Sequence, residues 1–164
     1  MEPVIEVRGL SVWFGGRAVL RDVDLDVPVP GITVLLGPSG SGKSTLLNLI
    51  GCIDTPTSGK ISIQANDISG KSPDELADLR LNTLGFVFQT FNLLPVLSAW
   101  ENVEYPLLQK RELDKGERQK RIEHYLRVVG LEHHAHHRPN ELSGGQRQRV
   151  AIARALATHP RIVL

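Results

Sequence analysis

The sequence predicts an α/β protein, and three observations carry that prediction. Apolar and acidic residues alternate through much of residues 4–29, which is the period of half-buried strands. A continuous apolar run at residues 32–36 then leads into a glycine-rich loop and a helical pattern. Most of residues 98–158 has the spacing of amphipathic helices. The chain should therefore combine a small antiparallel sheet, an α/β core and a helical part.

The predicted elements follow in chain order. Strands are expected at residues 4–7, 10–14 and 23–29, and a strand buried on both faces at residues 32–36. A helix should cover residues 44–50, a strand 60–64, and a helix 73–81 with Pro73 at its first position. A strong strand is expected at residues 84–89. A helical pattern then covers residues 98–137, with Gly130 as a C-terminal cap. A helix at 144–158 and a strand beginning at 161 complete the order.

These elements predict one domain with four parts. Residues 1–31 form an antiparallel β-subdomain, residues 32–90 the core, residues 91–143 a helical subdomain, and residues 144–164 a helix and the start of a strand. The 164 residues suffice for one hydrophobic core.

Composition narrows the classes of function. Hydrophobic residues make up 41% and charged residues 23%, as in ordinary globular domains. The net charge of +1 and the 5% of aromatic residues do not fit a basic nucleic-acid surface, so no nucleic acid is expected as a partner. Cys52 is the sole cysteine, which excludes a disulfide framework and a cysteine-based zinc site. No run approaches the roughly 20 apolar residues of a membrane span, so a partner would have to hold this chain at a membrane.

Residues 37–45 read Gly-Pro-Ser-Gly-Ser-Gly-Lys-Ser-Thr, the spacing of a Walker A phosphate-binding loop. Such a loop wraps a phosphate chain with backbone N–H groups, and the following helix directs its positive end at the phosphates. Lys43 is predicted to bind the β- and γ-phosphates, Ser44 to bind Mg²⁺ and Thr45 to lie near the α-phosphate. A glycine- and serine-rich turn with an incidental lysine is the alternative. The predicted ATP-binding residues of the loop are Gly37, Ser39, Gly40, Ser41, Gly42, Lys43, Ser44 and Thr45.

A second anion site is predicted where residues 142–146 open a helix. This signature segment consists of Leu142, Ser143, Gly144, Gly145 and Gln146. With the continuation Arg-Gln-Arg-Val-Ala-Ile-Ala-Arg-Ala-Leu, it resembles the LSGGQ signature of ABC ATPases, and the resemblance runs from Val4 to Leu164. The resemblance implies a P-loop NTPase (RecA-like) core and a head-to-tail dimer with a second nucleotide-binding domain. Ser143 and Gly145 would then cap the γ-phosphate of the ATP that the other domain holds.

The same resemblance assigns roles to two further residues. Gln89 matches the family's Q-loop glutamine, which reaches Mg²⁺ and the attacking water, so Ser44 and Gln89 are the predicted Mg²⁺ ligands and Gln89 the predicted catalytic residue. Phe14 stands where the family stacks an aromatic ring on adenine. Trp13 is the alternative, because only one of two adjacent strand residues can face the nucleotide.

Residues 91–100, from Phe91 through Trp100, place apolar side chains in a loop. In the family, this region receives a transmembrane permease subunit. Together with Gly-Cys-Ile-Asp at residues 51–54 and Pro-Thr-Ser-Gly at residues 56–59, the sequence of this region is most similar to the macrolide-exporter and lipoprotein-releasing branch of the family. This resemblance implies export and a peripheral place on the cytoplasmic face of the cell membrane.

The family's Walker B strand, which ends in Asp and Glu, is expected to begin at residue 161, and the sequence stops before those carboxylates. The sequence thus predicts the ATP-binding subunit of an ABC transporter whose parent protein is an ATPase. Two alternatives stay open: a non-hydrolysing nucleotide-binding fragment, and a soluble ABC ATPase that acts on nucleic acid or the ribosome. Four histidines at 133, 134, 136 and 137 suggest a metal site, but no carboxylate or cysteine spacing supports one.

Overall fold

The computed structural model describes residues 3–164. The chain divides into two compact units, one that ends at Ala77 and one that begins at Asp78. Within residues 3–164, no helix has the length and apolar character needed to cross a bilayer.

The first unit contains a four-stranded antiparallel sheet. Its strands are β1 (Ile5–Phe14), β2 (Arg17–Val27), β3 (Ser58–Ile63) and β4 (Asn66–Asp67), in the spatial order β2-β1-β3-β4. Two helices, α1 (Lys43–Ile50) and α2 (Pro73–Thr83), follow β2 and β4 along the chain. Leu49 of α1, Ile61 of β3 and Leu76 of α2 line one small cavity, so these three elements pack together.

Strand β1 runs through the point where the sequence predicted a break. The register of β1 shifts between Val7 and Leu10 against β2, and Gly9 has φ +56°. This irregularity changes the alternation by one residue, so that Ile5 and Val7 before it and Leu10 and Val12 after it are all buried. One bulged strand therefore replaces the two predicted strands.

Residues 32–36 do not form the buried strand that the apolar run predicted. Ile32, Val34 and Leu36 are 95%, 67% and 88% exposed. A strand buried on both faces needs neighbours whose backbone groups complete its hydrogen bonds. Within residues 3–164, no strand pairs with this segment.

The second unit is mainly helical. Its helices are α3 (Ala99–Leu107), α4 (Lys115–Val128) and α5 (Gly144–Ala157), with short 3₁₀ helices at Glu132–His134 and Pro139–Glu141. They enclose an apolar core that consists of Ala99, Val103, Leu107, Leu113, Ile122, Leu126, Leu131, Ala135, Leu142, Val150, Ala153 and Ala157.

The predicted helical stretch over residues 98–137 is thus interrupted. Asp114 caps α4 by accepting from the Glu117 N–H at 2.8 Å, and an N-cap residue has a non-helical backbone. Gly130, at φ +67°, follows the end of α4 in the left-handed conformation that glycine adopts readily.

A short parallel pair completes the second unit. Strand β5 (Leu84–Gly85) pairs with β6 (Ile162–Val163). The Val87 N–H also donates to the Leu164 carbonyl at 2.9 Å, so the ladder continues past the formal end of β5. The strand is shorter than the predicted residues 84–89, because regular pairing requires a neighbour along the whole run.

Candidate functional site

Residues 37–45 lie directly before and within the first turn of α1, as the Walker A spacing requires. Gly42 is the N-cap, at φ +89°, a conformation that side chains strain. A Cβ at Gly42 would stand 2.7 Å from Leu20 Cδ2 and 3.3 Å from the Val19 carbonyl oxygen. Glycine is therefore required here by both backbone conformation and the close approach of β2.

The N-terminus of α1 is available to an anion. Gly42 provides no side-chain cap, and the first turn contains no acidic residue. The first backbone N–H groups of a helix have no partner within it, and the helix dipole makes that end positive. This end of α1 therefore has the electrostatics of a phosphate site.

Lys43 lies folded over the loop that precedes it. Its ammonium donates to the carbonyl oxygens of Gly37 at 2.9 Å and Pro38 at 2.7 Å, and lies 3.4 Å from Ser41 Oγ. These neutral acceptors fix the position of the ammonium without neutralising its charge. The positive charge is thus held at the loop, beside the free end of α1.

The remaining residues of the loop differ in their exposure to solvent. Ser39, Gly40 and Ser41 form the exposed turn, with Gly40 at φ +81° and open space around it. Ser44 is exposed on the first turn of α1, whereas Thr45 is half-buried. A hydroxyl oxygen such as that of Ser44 is the hard donor that Mg²⁺ prefers.

Phe14 and Trp13 are both exposed at the end of β1, at 55% and 48%. Phe14 follows buried Val12 by two residues in β1, although the register against β2 shifts between Val12 and Trp13. The partner of Val12 in β2 is Leu20, the residue against Gly42. The Arg21 guanidinium lies 5.7 Å from the centroid of the Trp13 ring. Phe14 is thus an exposed ring close in sequence to the strand pair that contacts the Walker A loop.

The signature segment opens α5 with a reciprocal cap. Ser143 Oγ accepts from the Gln146 N–H at 3.2 Å, and Gln146 Oε1 accepts from the Ser143 N–H at 2.8 Å. This capping box leaves the N–H groups of Gly144 and Gly145 without an intrahelical partner. The Ser143 hydroxyl acts only as an acceptor in the cap, so its proton can still be donated. Leu142 anchors the segment by its buried side chain.

Neither signature glycine is required by the fold of this chain. A Cβ at Gly144 would meet its first neighbour at 4.0 Å, and one at Gly145 at 3.9 Å, both the ends of arginine side chains. Alanine would also be the better helix former at these positions. Glycine here favours a close approach from outside the chain.

Gln89 lies in a turn after Phe88, with its side chain exposed. Beyond it, Phe91 and Asn92 have φ +64° and +46°, which is rare for two successive non-glycine residues. The Arg154 guanidinium of α5 donates to the carbonyl oxygens of Phe91 at 2.8 Å and Asn92 at 2.7 Å.

The other end of residues 91–100 is held by Asn102, which is fully buried in α3. Its amide nitrogen donates to the carbonyl oxygens of Leu94, Leu97 and Ser98, and its oxygen accepts from the Leu94 N–H. Sequence reasoning missed Arg154 and Asn102. The available signal was a polar residue among apolar helix positions, next to Ala153 and Val103 respectively.

A family model described as ABC transporter matches residues 20–164. The chain belongs to the ABC transporter family. The matched residues include both the Walker A loop and the signature segment.

Relatives of known sequence support the ABC assignment. The chain is 51% identical over 146 residues to the uncharacterized ABC transporter ATP-binding protein YknY of Bacillus subtilis, covering 89% of this chain and 63% of that protein. It is 44% identical over 168 residues to the macrolide export ATP-binding/permease protein MacB of Escherichia coli, covering 100% of this chain and 26% of that protein. The chain thus spans less than two thirds of the length of these relatives.

The fold is similar to that of solved ABC cassettes. The dimeric, post-hydrolysis structure of the ATP-binding cassette MJ0796 of Methanocaldococcus jannaschii, bound to ADP and Pi, matches with a TM-score of 0.91 at 44% identity. The match covers 97% of this chain and 72% of that cassette. The predicted P-loop α/β fold with its antiparallel and helical parts is confirmed.

The histidine-rich stretch of this ABC chain lies in and beside the 3₁₀ helix Glu132–His134. The rings of His134 and His137 have centroids 5.1 Å apart. In the part of the chain that the structure describes, no three His, Cys, Asp or Glu side chains form a group that could hold a metal ion.

Proposed function

We propose that residues 37–45 bind the triphosphate of Mg·ATP and that this chain is the ATP-binding part of an ABC transporter. The carrying observation is the uncapped N-terminus of α1 with the Lys43 ammonium held beside it by two carbonyl oxygens. A phosphate would meet both a full positive charge and free N–H groups. The present acceptors of the Lys43 ammonium are neutral carbonyl oxygens. A phosphate that replaced them would attract the ammonium more strongly, because the phosphate is negatively charged.

The supporting residues take distinct roles in this proposal. Ser44 offers its exposed hydroxyl oxygen to Mg²⁺, and Phe14 offers its exposed ring to adenine. When bound, the ion neutralises phosphate charge. Gln89 presents an exposed amide after Phe88 and is proposed as the residue that contacts Mg²⁺ and orients the attacking water.

The signature segment is proposed to bind the γ-phosphate of an ATP held by a second nucleotide-binding domain. The free N–H groups of Gly144 and Gly145, the spare proton of Ser143 and the open space at both glycines support this role. The dimeric state of the similar MJ0796 cassette supports pairing with a second domain. We propose that the pair is head-to-tail, because the signature segment would then reach the other domain's nucleotide.

Residues 91–100 are proposed to receive a transmembrane permease subunit, which would place the chain on the cytoplasmic face of the cell membrane. Leu94 and Val96 are exposed on this segment, and an apolar partner surface would cover them. Because the relative MacB is a macrolide export ATP-binding/permease protein, export is the proposed direction. ATP hydrolysis is proposed as the activity of a protein that contains this chain and has the full length of these relatives.

Isothermal titration of Mg·ATP into the chain tests the central proposal. Wild type should bind, and Lys43→Ala should bind at least ~10-fold more weakly, since a hydrogen bond to a charged group is worth about 1.5–3 kcal/mol. Lys60→Ala, which removes an exposed lysine from β3 of the same unit, is the matched control and should bind as wild type does. Equal affinity of Lys43→Ala and Lys60→Ala would contradict the proposal, provided that circular dichroism shows both folded.

A further inference from the structure

The backbone at the start of residues 91–100 has a conformation that it does not adopt readily by itself. Phe91 and Asn92 are consecutive left-handed residues, and neither is glycine. Local bonds here are short-range: the Phe91 N–H donates to the Phe88 carbonyl at 3.0 Å, and the Asn92 N–H to the Thr90 carbonyl at 2.8 Å. The carbonyl oxygens of Phe91 and Asn92 are bound by a group from elsewhere in the chain.

Arg154 is that group, and within residues 3–164 its positive charge takes part in no ion pair. One Nη donates to the Phe91 carbonyl at 2.8 Å, across 63 positions of sequence, and the other to the Asn92 carbonyl at 2.7 Å, across 62 positions. No carboxylate among residues 3–164 forms an ion pair with it. Its partial burial lowers the pKa of the guanidinium by desolvation. Partial burial of a cation against neutral dipoles alone is costly, which favours a specific positional role over a general contribution to stability.

The guanidinium geometry suits this contact. Its planar fork carries two parallel N–H donors, so that it can hold two neighbouring carbonyl oxygens at a fixed separation. An ammonium is a single point of charge and does not fix the same pair in one plane. The contact therefore defines the orientation of residues 91–92, as well as their distance from α5.

Helix α5 links this contact to the signature segment. Ser143, Arg147 and Arg154 are separated by four and seven residues, so they lie along one side of the helix. Arg147 donates to the carbonyl oxygen of Pro139 at 3.3 Å and to that of Leu142, the first residue of the signature segment, at 3.1 Å. Two arginines of one helix thus each bind two carbonyl oxygens, one pair beside the signature segment and one pair at residues 91–92.

We propose that Arg154 is a positioning residue that locks the start of residues 91–100 to helix α5, so that the docking segment and the signature segment move as one rigid piece. The docking role of residues 91–100 rests on the proposed function. A displacement imposed on that segment by a partner is carried by Arg154 along about three helical turns to Ser143. The coupling is mechanical and needs no nucleotide.

Amide hydrogen exchange of the full 164-residue chain tests the lock. Arg154→Gln should raise the amide exchange rates of residues 91–94 at least tenfold and leave the amides of α3, α4 and α5 within twofold of wild type. Arg154→Lys should give an intermediate rate, because one ammonium cannot bind both carbonyl oxygens in the same plane. Arg149→Gln, an equal loss of charge at an exposed position of the same helix, is the matched control and should exchange as wild type does.

Spin-label distances measure the rigidity directly. Nitroxides at Val96→Cys and Gln148→Cys, both exposed positions, should give a narrow distance distribution that becomes at least twofold wider with Arg154→Gln. A reference pair at Glu123→Cys and Gln148→Cys, between α4 and α5, should not widen. Native Cys52 is buried and is poorly accessible to the label.

Two results would overturn the inference. One is unchanged amide exchange at residues 91–94 together with an unchanged distance distribution between positions 96 and 148 in Arg154→Gln. The other is a uniform rise in exchange across α3, α4 and α5 with both label pairs widened, which would make Arg154 a residue of general stability. Neither measurement uses nucleotide, so a chain that fails to bind ATP while keeping the lock would contradict the proposed function alone.

Discussion

Asn102 and Leu94 exchange hydrogen bonds in both directions: the Leu94 N–H donates to Asn102 Oδ1 at 2.8 Å, and Asn102 Nδ2 donates to the Leu94 carbonyl at 3.2 Å. The same nitrogen lies 3.0 and 2.9 Å from the carbonyl oxygens of Leu97 and Ser98. One buried side chain on the helix α3 therefore shapes the loop in front of it. The amide both donates and accepts, as a peptide group does, so neither an apolar nor a charged side chain would reproduce these hydrogen bonds.

Asn102→Ala should lower the free energy of unfolding by about 2–4 kcal/mol, because it leaves a cavity and unpaired backbone groups around residues 94–98. Urea denaturation followed by circular dichroism measures the change. Asn140→Ala, at an exposed position of the Pro139–Glu141 turn, is the control and should cost less than about 0.5 kcal/mol. A similar loss in both variants would show that the Asn102 bonds do not shape the loop.

Gly59→Ala should disrupt the pairing of β1 with β3. A Cβ at Gly59 would stand 2.5 Å from the Gly9 carbonyl oxygen and 2.6 Å from Leu10 Cα, and φ is +92°. Both neighbours are backbone atoms of the central strand, so neither can move aside without loss of the ladder. We expect the free energy of unfolding to fall by about 3 kcal/mol or more, or the chain to be unfolded.

Gly70→Ala is the matched control for that experiment, since no atom lies within 4 Å of a Cβ at Gly70. Its unfolding midpoint in urea should stay near that of wild type. Equal midpoints for Gly59→Ala and Gly70→Ala would refute the steric argument.

Gly145→Ala should separate the stability of α5 from its proposed role in the dimer. Because the position is open and helical, alanine should stabilise the free chain by about 0.5–1 kcal/mol. Binding of Mg·ATP to residues 37–45 of the same chain should not change. A Cβ would, however, occupy the space proposed for the other domain's γ-phosphate, so ATP-dependent dimerisation in sedimentation experiments should be lost.

Gln148→Ala, an exposed position on the same helix, is the control and should leave dimerisation unchanged. Dimerisation of Gly145→Ala at the wild-type level would count against the proposed contact of the signature segment with a partner's nucleotide.

The local features of the site were predictable, because their causes are local. The residue types alone indicate two helix starts, with Gly42 before α1 and Ser143 before α5. Both helices begin within one residue of the predicted position. Residues 32–36 show the limit of this reasoning. An apolar run states a preference for burial, but the burial requires a partner strand, which the run itself does not specify.

The long-range contacts were not predictable from the sequence for a related reason. Arg154 and Phe91 are 63 positions apart, and nothing in either residue type names the other. An arginine between two alanines of a half-buried helix indicates only that its charge finds acceptors somewhere. The acceptors turned out to be backbone carbonyl oxygens, which every residue has and no sequence pattern marks.

The capping box at the start of α3 predicts a pH dependence of stability. The Ser98 N–H and hydroxyl donate to Glu101 Oε2 at 2.7 and 2.8 Å, and these bonds, the backbone one first, lower the pKa of Glu101 below its ordinary value. The unfolded chain therefore binds a proton on Glu101 more readily than the folded chain does. The contribution is present above the unfolded pKa and is lost as the pH falls through the folded pKa.

The free energy of unfolding of wild type should accordingly fall by up to about 1 kcal/mol between roughly pH 5 and 3, as this contribution is lost. The amount is modest because Glu101 is exposed and water screens its carboxylate. Glu101→Gln keeps an acceptor for the Ser98 N–H but does not titrate, so its stability should fall less over the same interval. Urea midpoints of the two proteins at pH 6, 4.5 and 3.5 measure the difference. Parallel losses in both would show that the Glu101 carboxylate does not contribute, and that other carboxylates, such as Glu75 with its own Ser72 bonds, account for the acid sensitivity.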